Sequence, residues 1–195
     1  TGTGKELFAR ALHESGERVN APFLAINCAT LAENLLESEL FGYAPGAFSG
    51  AQKTGKLGLF EMAENGTVFL DEIGEMSIYL QAKLLRFLQD LTFRRIGGTT
   101  EIKVNVRIVC ATHRNLEKMT AKGLFREDLY YRLNVLSIDL PPLRERSEDI
   151  HDLVNFFSIK ASEQINIERP KYTHSAMVLL SKFQWPGNIR QLRNL

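Results

Sequence analysis

The sequence predicts an α/β protein: a parallel sheet flanked by helices over residues 1–144, then a small all-α segment over residues 145–195. Three observations carry this. Up to Pro141-Pro142, short apolar runs alternate with stretches of helical period. One run, Gly66 to Leu70, is apolar nearly throughout and ends in Asp71-Glu72, the pattern of a strand buried on both faces with acids at its tip. From Ser147 onward only capped helical stretches remain, with no strand-like run.

The elements follow in order. Lys5 to His13 sets Leu7, Phe8, Ala11 and Leu12 at helical spacing, and Pro22 opens a strand over Phe23 to Asn27. Leu31 to Phe41 reads as a helix through Leu35, Leu36 and Leu40, before a glycine-rich interruption from Gly42 to Gly58. Met76 to Leu91 keeps the helical period with Leu80, Leu84, Phe87, Leu88 and Leu91. Gly97-Gly98 marks a turn, Val104 to Thr112 a strand, Leu116 to Leu133 mostly helix, and Val135 to Leu140 a last strand. Ser147 starts a helix, Thr173 a second that runs to Phe183, and Trp185-Pro-Gly-Asn188 turns into a third.

Composition narrows the function classes. The 195 residues hold 24 Lys+Arg against 23 Asp+Glu, with 44% apolar and 24% charged residues, which excludes wholesale disorder. A net charge of +1 argues against the whole chain being a nucleic-acid clamp. No apolar run reaches the ~18 residues of a membrane-spanning helix, and no charged-then-apolar start marks a signal peptide. Cys28 and Cys110 lie in strand-like runs and are expected to be reduced, buried thiols of a cytoplasmic protein.

Two patterns carry chemistry. Gly2-Thr3-Gly4-Lys5 opens a helix; helix-start N–H groups with a lysine cradle phosphates. In the full pattern G-x-x-x-x-G-K-[ST] the first glycine falls two residues before Thr1, and Glu6 stands where Ser or Thr is usual. The expectation is therefore a fragment that begins within a longer motif and stops inside a helical pattern. Asp71-Glu72, at a strand tip, supplies a carboxylate able to hold Mg²⁺ through water and a second able to orient an attacking water. Arg126 and Arg132, six residues apart in LFREDLYYRL, read from spacing alone as a solvated face with ordinary pairs to Glu127 and Asp128.

The segments TGTGKE, ELFG…GAFSGA, GTVFLDEIGEM, FRRIGG, FREDLYYRLNV, LPPLRER and WPGNIRQL, in this order, resemble the AAA+ ATPase domain of bacterial enhancer-binding proteins, the NtrC-type activators of sigma-54 RNA polymerase. The stretches QAKLLRFLQDLTFRRIGG, VRIVCAT and KGLFREDLYYRLNVL resemble most the TyrR- and PhhR-type branch, regulators of aromatic amino acid metabolism. The resemblance implies an AAA+ P-loop NTPase with a helical lid, ATP and Mg²⁺ as cofactors, and assembly into a hexameric ring. It implies that Gly2, Thr3, Gly4, Lys5 and Glu6 form the phosphate loop. Asp71 would organise Mg²⁺, Glu72 activate water, and Asn27 hold Glu72 in check. Thr112, with His113 beside it, would be the first sensor and Arg190 the second. Arg126 and Arg132 would be fingers given to a neighbouring subunit, against the spacing-only reading. Gly46, Ala47, Phe48, Ser49, Gly50 and Ala51 would be the tip of a mobile loop touching sigma-54, with Ser49 where the family has Thr; Phe93 to Gly98 would be a second loop moving with it. DNA binding would belong to a C-terminal domain outside these residues. Two rivals remain: a ligand-responsive DNA-binding regulator that uses ATP only to oligomerise, and an AAA+ unfoldase or protease regulator. The family also places a central strand before the phosphate loop, so an open gap is expected between the strands near Val106–Ala111 and Val135–Leu140.

Overall fold

The computed structural model describes residues 2–195. It divides into two units: Glu6–Ser137, and residues 2–5 with Ile138–Leu195.

The larger unit is built on β1 (Phe23–Asn27), β2 (Thr67–Asp71) and β5 (Arg107–Cys110), paired in the parallel order β1-β2-β5. The central strand is sealed: Thr67, Val68 and Leu70 are fully buried and Phe69 nearly so. Its apolar run needs partners on both edges and both faces, and the register supplies them, Asn27 level with Asp71 and Leu70 level with Cys110. Helices α1 (Lys5–Glu14), α2 (Glu33–Phe41), α3 (Leu59–Met62), α4 (Ile78–Asp90), α5 (Leu116–Ala121) and α6 (Glu127–Leu133) accompany this sheet. Ser77 caps α4 by accepting from the Leu80 N–H at 3.3 Å, and Asn115 caps α5 by accepting from Lys118 at 2.8 Å. One core gathers Val68, Leu70, Ile73, Leu80, Leu84 and Leu129 with five phenylalanines, Phe41, Phe60, Phe87, Phe93 and Phe125. Phe60 and Phe87 stack at 4.0 Å, and Phe41 and Phe93 meet them edge-on or tilted.

Three boundaries differ from expectation. The strand expected over Val104 to Thr112 is shorter, Arg107–Cys110. Before it, Glu101–Lys103 (β4) pairs with Thr92–Arg94 (β3) as an antiparallel hairpin, and a break separates that hairpin from the strand paired with β2. Asn105 makes the break, because its carbonyl accepts from the Asn65 N–H at 2.8 Å and its own N–H donates to Glu64 at 3.0 Å. The helix expected over Leu116 to Leu133 is likewise two helices, parted by a turn at Gly123. The strand expected over Val135 to Leu140 is not formed. Val135 is 84% and Leu136 83% exposed, and among the described residues nothing pairs with the second edge of β5. An extended segment without a ladder partner is not a strand, however apolar.

The smaller unit holds α7 (Asp149–Ile165), α8 (His174–Lys182) and α9 (Asn188–Arg193), with a 3₁₀ turn at Leu143–Glu145. Its core is Leu143, Ile150, Val154, Trp185 and Leu192. Thr173 caps α8 through the Ala176 N–H at 3.2 Å. The Trp185 indole N–H donates to the Leu180 carbonyl at 2.8 Å, and Asn188 Oδ1 accepts from the Leu143 N–H at 2.8 Å.

Phe60→Ala removes the side chain at the centre of the aromatic cluster. We expect a loss of about 3–5 kcal/mol, read as a lower urea midpoint with an unchanged m-value; a midpoint within experimental error of the parent would show that the cluster is not the core.

Candidate nucleotide site and exposed loop

The residues expected to form a phosphate loop, Gly2 to Lys5, lie in the smaller unit. Gly2 and Gly4 have φ of +74° and +97°, a region open to glycine, and a Cβ on Gly2 would stand 2.7 Å from the Gly187 carbonyl. That position would also be 3.1 Å from Arg190 Cβ, so the structure brings Arg190 beside the loop. The Gly2 carbonyl accepts from the Ile189 N–H at 3.0 Å, and the Thr3 carbonyl from Arg146 Nη2 at 2.7 Å. Lys5 is the first residue of α1, where helix N–H groups and a cation favour an anion. Glu6 pairs weakly with Arg10 at 3.9 Å, and both are largely exposed. These residues fit a nucleotide phosphate chain.

The acids lie in the larger unit, at the end of β2. Asp71 Oδ1 accepts from the Glu72 N–H at 3.0 Å and Oδ2 from the Asn27 side-chain amide at 3.4 Å. Asn27 Oδ1 accepts in turn from the Ala29 N–H at 2.8 Å. Glu72 sits in the left-handed region, φ 55° and ψ 46°, which a side chain enters only when its surroundings impose it; such strain clusters at functional sites. Its carboxylate is 12% exposed, and Oε2 meets both the His113 N–H at 3.2 Å and His113 Nδ1 at 2.6 Å. The structure thus places the Asn27 amide on Asp71 and His113 on Glu72. Because Leu70 is level with Cys110, the segment leaving β5 runs beside the segment leaving β2, which is how His113 reaches Glu72. Thr112 Oγ1 accepts from the Arg114 N–H at 3.0 Å, and Arg114 pairs with Glu75 at 2.6 Å. Among the described residues no three His, Cys, Asp or Glu converge as a metal cage. A single strand-tip carboxylate suits Mg²⁺, which draws most of its ligands from phosphate and water.

Arg126 is the N-cap of α6, and its backbone N–H donates to Oε1 of the fully buried Gln81 at 2.8 Å. Its guanidinium grips Asp128 at 3.0 and 2.6 Å and holds that carboxyl below the usual carboxylate range. Arg132 donates to the Leu88 carbonyl at 2.8 Å. Both arginines border a surface that also exposes Leu124 and Tyr131, 56% and 66%.

The expected partner loop rises from α2. Its stem is closed by reciprocal backbone bonds between Tyr43 and Lys56, at 3.0 and 2.9 Å. The Ala44 N–H donates to the Ile96 carbonyl at 2.9 Å and the Ile96 N–H to the Gly42 carbonyl at 3.0 Å, which ties the stem to the β3–β4 turn. Arg95 in that turn is fixed to Glu61 by two bonds, 2.8 and 2.6 Å. At the tip, Gly46 and Gly50 take positive φ with open space around them. Phe48 is 47% exposed, its ring edge-on to the buried Tyr43 at 5.0 Å, while Ser49 is exposed and the Ala51 N–H donates to the Phe48 carbonyl at 3.0 Å.

Comparison with known proteins gives a consistent result. Residues 1–139 match the sigma-54 interaction domain, and residues 144–195 match an AAA+ ATPase lid domain. The chain is 53% identical to the HTH-type transcriptional regulatory protein TyrR of Enterobacter agglomerans, covering 100% of this chain and 37% of that protein. It is 55% identical to the regulatory protein AtoC of Escherichia coli (100% and 42%) and 56% identical to the Nif-specific regulatory protein of Azotobacter vinelandii (100% and 37%). The chain spans well under half the length of these curated relatives. Among solved structures, NtrX from Brucella abortus in complex with ATP superposes with a TM-score of 0.89 at 45% identity, over 100% of this chain and 44% of that one.

Both thiols are pushed up to about 12, Cys28 by burial and then by Asp71 and Glu72, Cys110 by burial. Below that pH they stay protonated and unreactive. We expect iodoacetamide at pH 8 to leave both unlabelled in the native protein and to label both in urea; rapid native labelling would contradict their placement.

Proposed function

Because the chain belongs to the sigma-54 interaction domain family, with the AAA+ P-loop NTPase fold and its helical lid, we propose that it hydrolyses ATP and uses the free energy to remodel the sigma-54 RNA polymerase closed complex. The observation that carries this is one core. The strand that ends in Asp71-Glu72 and the helix that ends in the Phe48 loop share the same buried cluster.

ATP, when bound, supplies the phosphoanhydride, and Mg²⁺ the charge on its oxygens. Lys5 and the N–H groups of Gly2 to Lys5 meet the phosphates, and Arg190 lies beside that loop. Asp71 would hold Mg²⁺, which would supply positive charge to the phosphate oxygens. Glu72 takes the proton of the attacking water. Asn27, whose amide donates to Asp71 in this structure, would turn to Glu72 to check it until the site is complete, and Thr112 would sense the reacting phosphate. Arg126 and Arg132 exchange their present partners for the nucleotide of the next subunit in a hexameric ring. Their neighbours Leu124 and Tyr131 are apolar surface suited to that contact. Phe48 is the group offered to sigma-54, and Gly46 and Gly50 give its loop the freedom to move. We assign residues 1–144 to the nucleotide-binding core and 145–195 to the lid. DNA contact, which the name of the NtrC relative from Rhizobium meliloti states for that protein, would belong here to a C-terminal domain outside these residues. Work on RNA polymerase would be done in the cytoplasm, the location this reading carries. Among the described residues no helix is long and apolar enough to cross a membrane.

The second reading is a ligand-responsive DNA-binding regulator that uses ATP only to oligomerise; the 53% identity to an HTH-type transcriptional regulatory protein keeps it beside the first. Glu72→Gln separates the two. The amide keeps the shape and loses the base, so ATP binding survives while hydrolysis falls by more than about 10²-fold. Promoter opening falls with hydrolysis in our reading and persists in the second. Mixing this variant with Arg126→Ala or Arg132→Ala protein restores part of the ATPase rate, since fingers act in trans; no restoration at any ratio counts against shared sites.

Phe48→Ala should leave ATPase and ring assembly intact and abolish sigma-54 capture in the presence of a transition-state analogue. Promoter opening at the parental rate would remove the loop from the mechanism.

A further inference from the structure

The phosphate loop is pinned from behind. Its first two described carbonyls, Gly2 and Thr3, are taken by the Ile189 N–H at 3.0 Å and by Arg146 Nη2 at 2.7 Å. A trans peptide sets its C=O and N–H on opposite sides. Fixing these carbonyls therefore turns the N–H groups of Thr3 and Gly4 the other way, leaving the carbonyls out of the cradle.

Arg146 reaches Thr3 from a firm base. The 3₁₀ turn before it, Leu143–Glu145, is anchored by the fully buried Leu143, whose N–H is held by Asn188. The Arg146 side chain is only 20% exposed, with Nη1 3.8 Å from Asp149. Its Nε is the one buried side-chain nitrogen or oxygen without a hydrogen-bond partner among the described residues. A guanidinium kept in so poor a setting for stability needs another reason to be there, because an unmade buried bond is costly. The bond to Thr3 supplies that reason, being charge-assisted and directed at the loop backbone.

We propose that Arg146 is a positioning residue for the phosphate loop. From the lid it locks the Thr3 carbonyl, so the loop N–H groups are preset for a nucleotide and affinity depends on the lid. The proposal rests on the reading of Gly2 to Lys5 as the phosphate loop. Arg146 itself acts on the backbone, not on the nucleotide. Without it the loop is ordered only on binding, and that cost falls on affinity rather than on the chemistry at Glu72.

The test uses Arg146→Ala, Arg146→Lys and, as reference, Lys5→Ala in the intact protein, titrated with a fluorescent ADP analogue and followed by ATPase kinetics. Arg146→Ala should weaken ADP binding by roughly 10- to 100-fold, the worth of one charge-assisted bond. KM for ATP should rise in parallel, with kcat at saturation within about twofold of the parent. Arg146→Lys, which keeps one cationic donor, should recover most of the affinity. Amide exchange without nucleotide should speed up at Thr3 and Gly4 and stay unchanged in α7. Parental affinity in Arg146→Ala, with binding lost in Lys5→Ala, overturns the proposal and spares the phosphate loop. Faster exchange throughout α7 to α9 also overturns it, by making Arg146 a folding residue of the lid. Unchanged affinity in Lys5→Ala overturns the phosphate-loop reading and the proposal with it.

Discussion

The burial of β2 between β1 and β5 is the constraint from which the larger unit follows. A five-residue strand with four sealed side chains admits one register, since a slip of one residue would turn its faces over. That register sets Asn27 beside Asp71 and carries the chain leaving β5 past Glu72. It also ends the strand abruptly. Glu72 takes a left-handed backbone, which aims its carboxylate away from the line of the strand and toward His113. The acids are therefore placed by packing behind them, not by contacts in front.

The same core reaches the loop. Phe41 ends α2, Phe60 lies in α3, Phe87 in α4 and Phe93 in β3, so one aromatic cluster grips both ends of the Gly42–Gly58 excursion and the turn that braces it. Lys56 pairs with Glu39 at 2.6 Å across the stem, and Arg95 with Glu61 at 2.6 Å across its brace. Beyond the Ala44–Ile96 bond these ties end, and Phe48 keeps one edge-on ring contact while half-exposed. A stiff base with a lightly held tip suits a loop displaced by small movements of its base.

Much of this was legible in the sequence, for physical reasons. β2 shows as an unbroken apolar run ending in acids, and α4 as a clean helical period. The β3–β4 hairpin was not legible, because three-residue strands are too short to show alternation. Val135 to Leu140 has the composition of a strand, but a strand needs a partner, and composition does not report one. His113, Gln81 and Arg146 act through the backbone or carboxylate of distant residues, Glu72, Arg126 and Thr3. Only the register and the turns bring those partners together; the only sequence signal was the place of His113 directly after Thr112.

The central claim is that chemistry at the tip of β2 moves the loop that carries Phe48. Because the Cys28 and Cys110 thiols are held protonated, spin labels on Ser49→Cys and on Lys122→Cys, both exposed positions of one unit, report the loop selectively. Electron–electron distance measurements in the nucleotide-free, transition-state-analogue and ADP states test the claim directly. The account expects the distance distribution to shift in the transition-state-analogue state and to return with ADP. The same distribution in all three states, in protein that hydrolyses ATP normally, would contradict it.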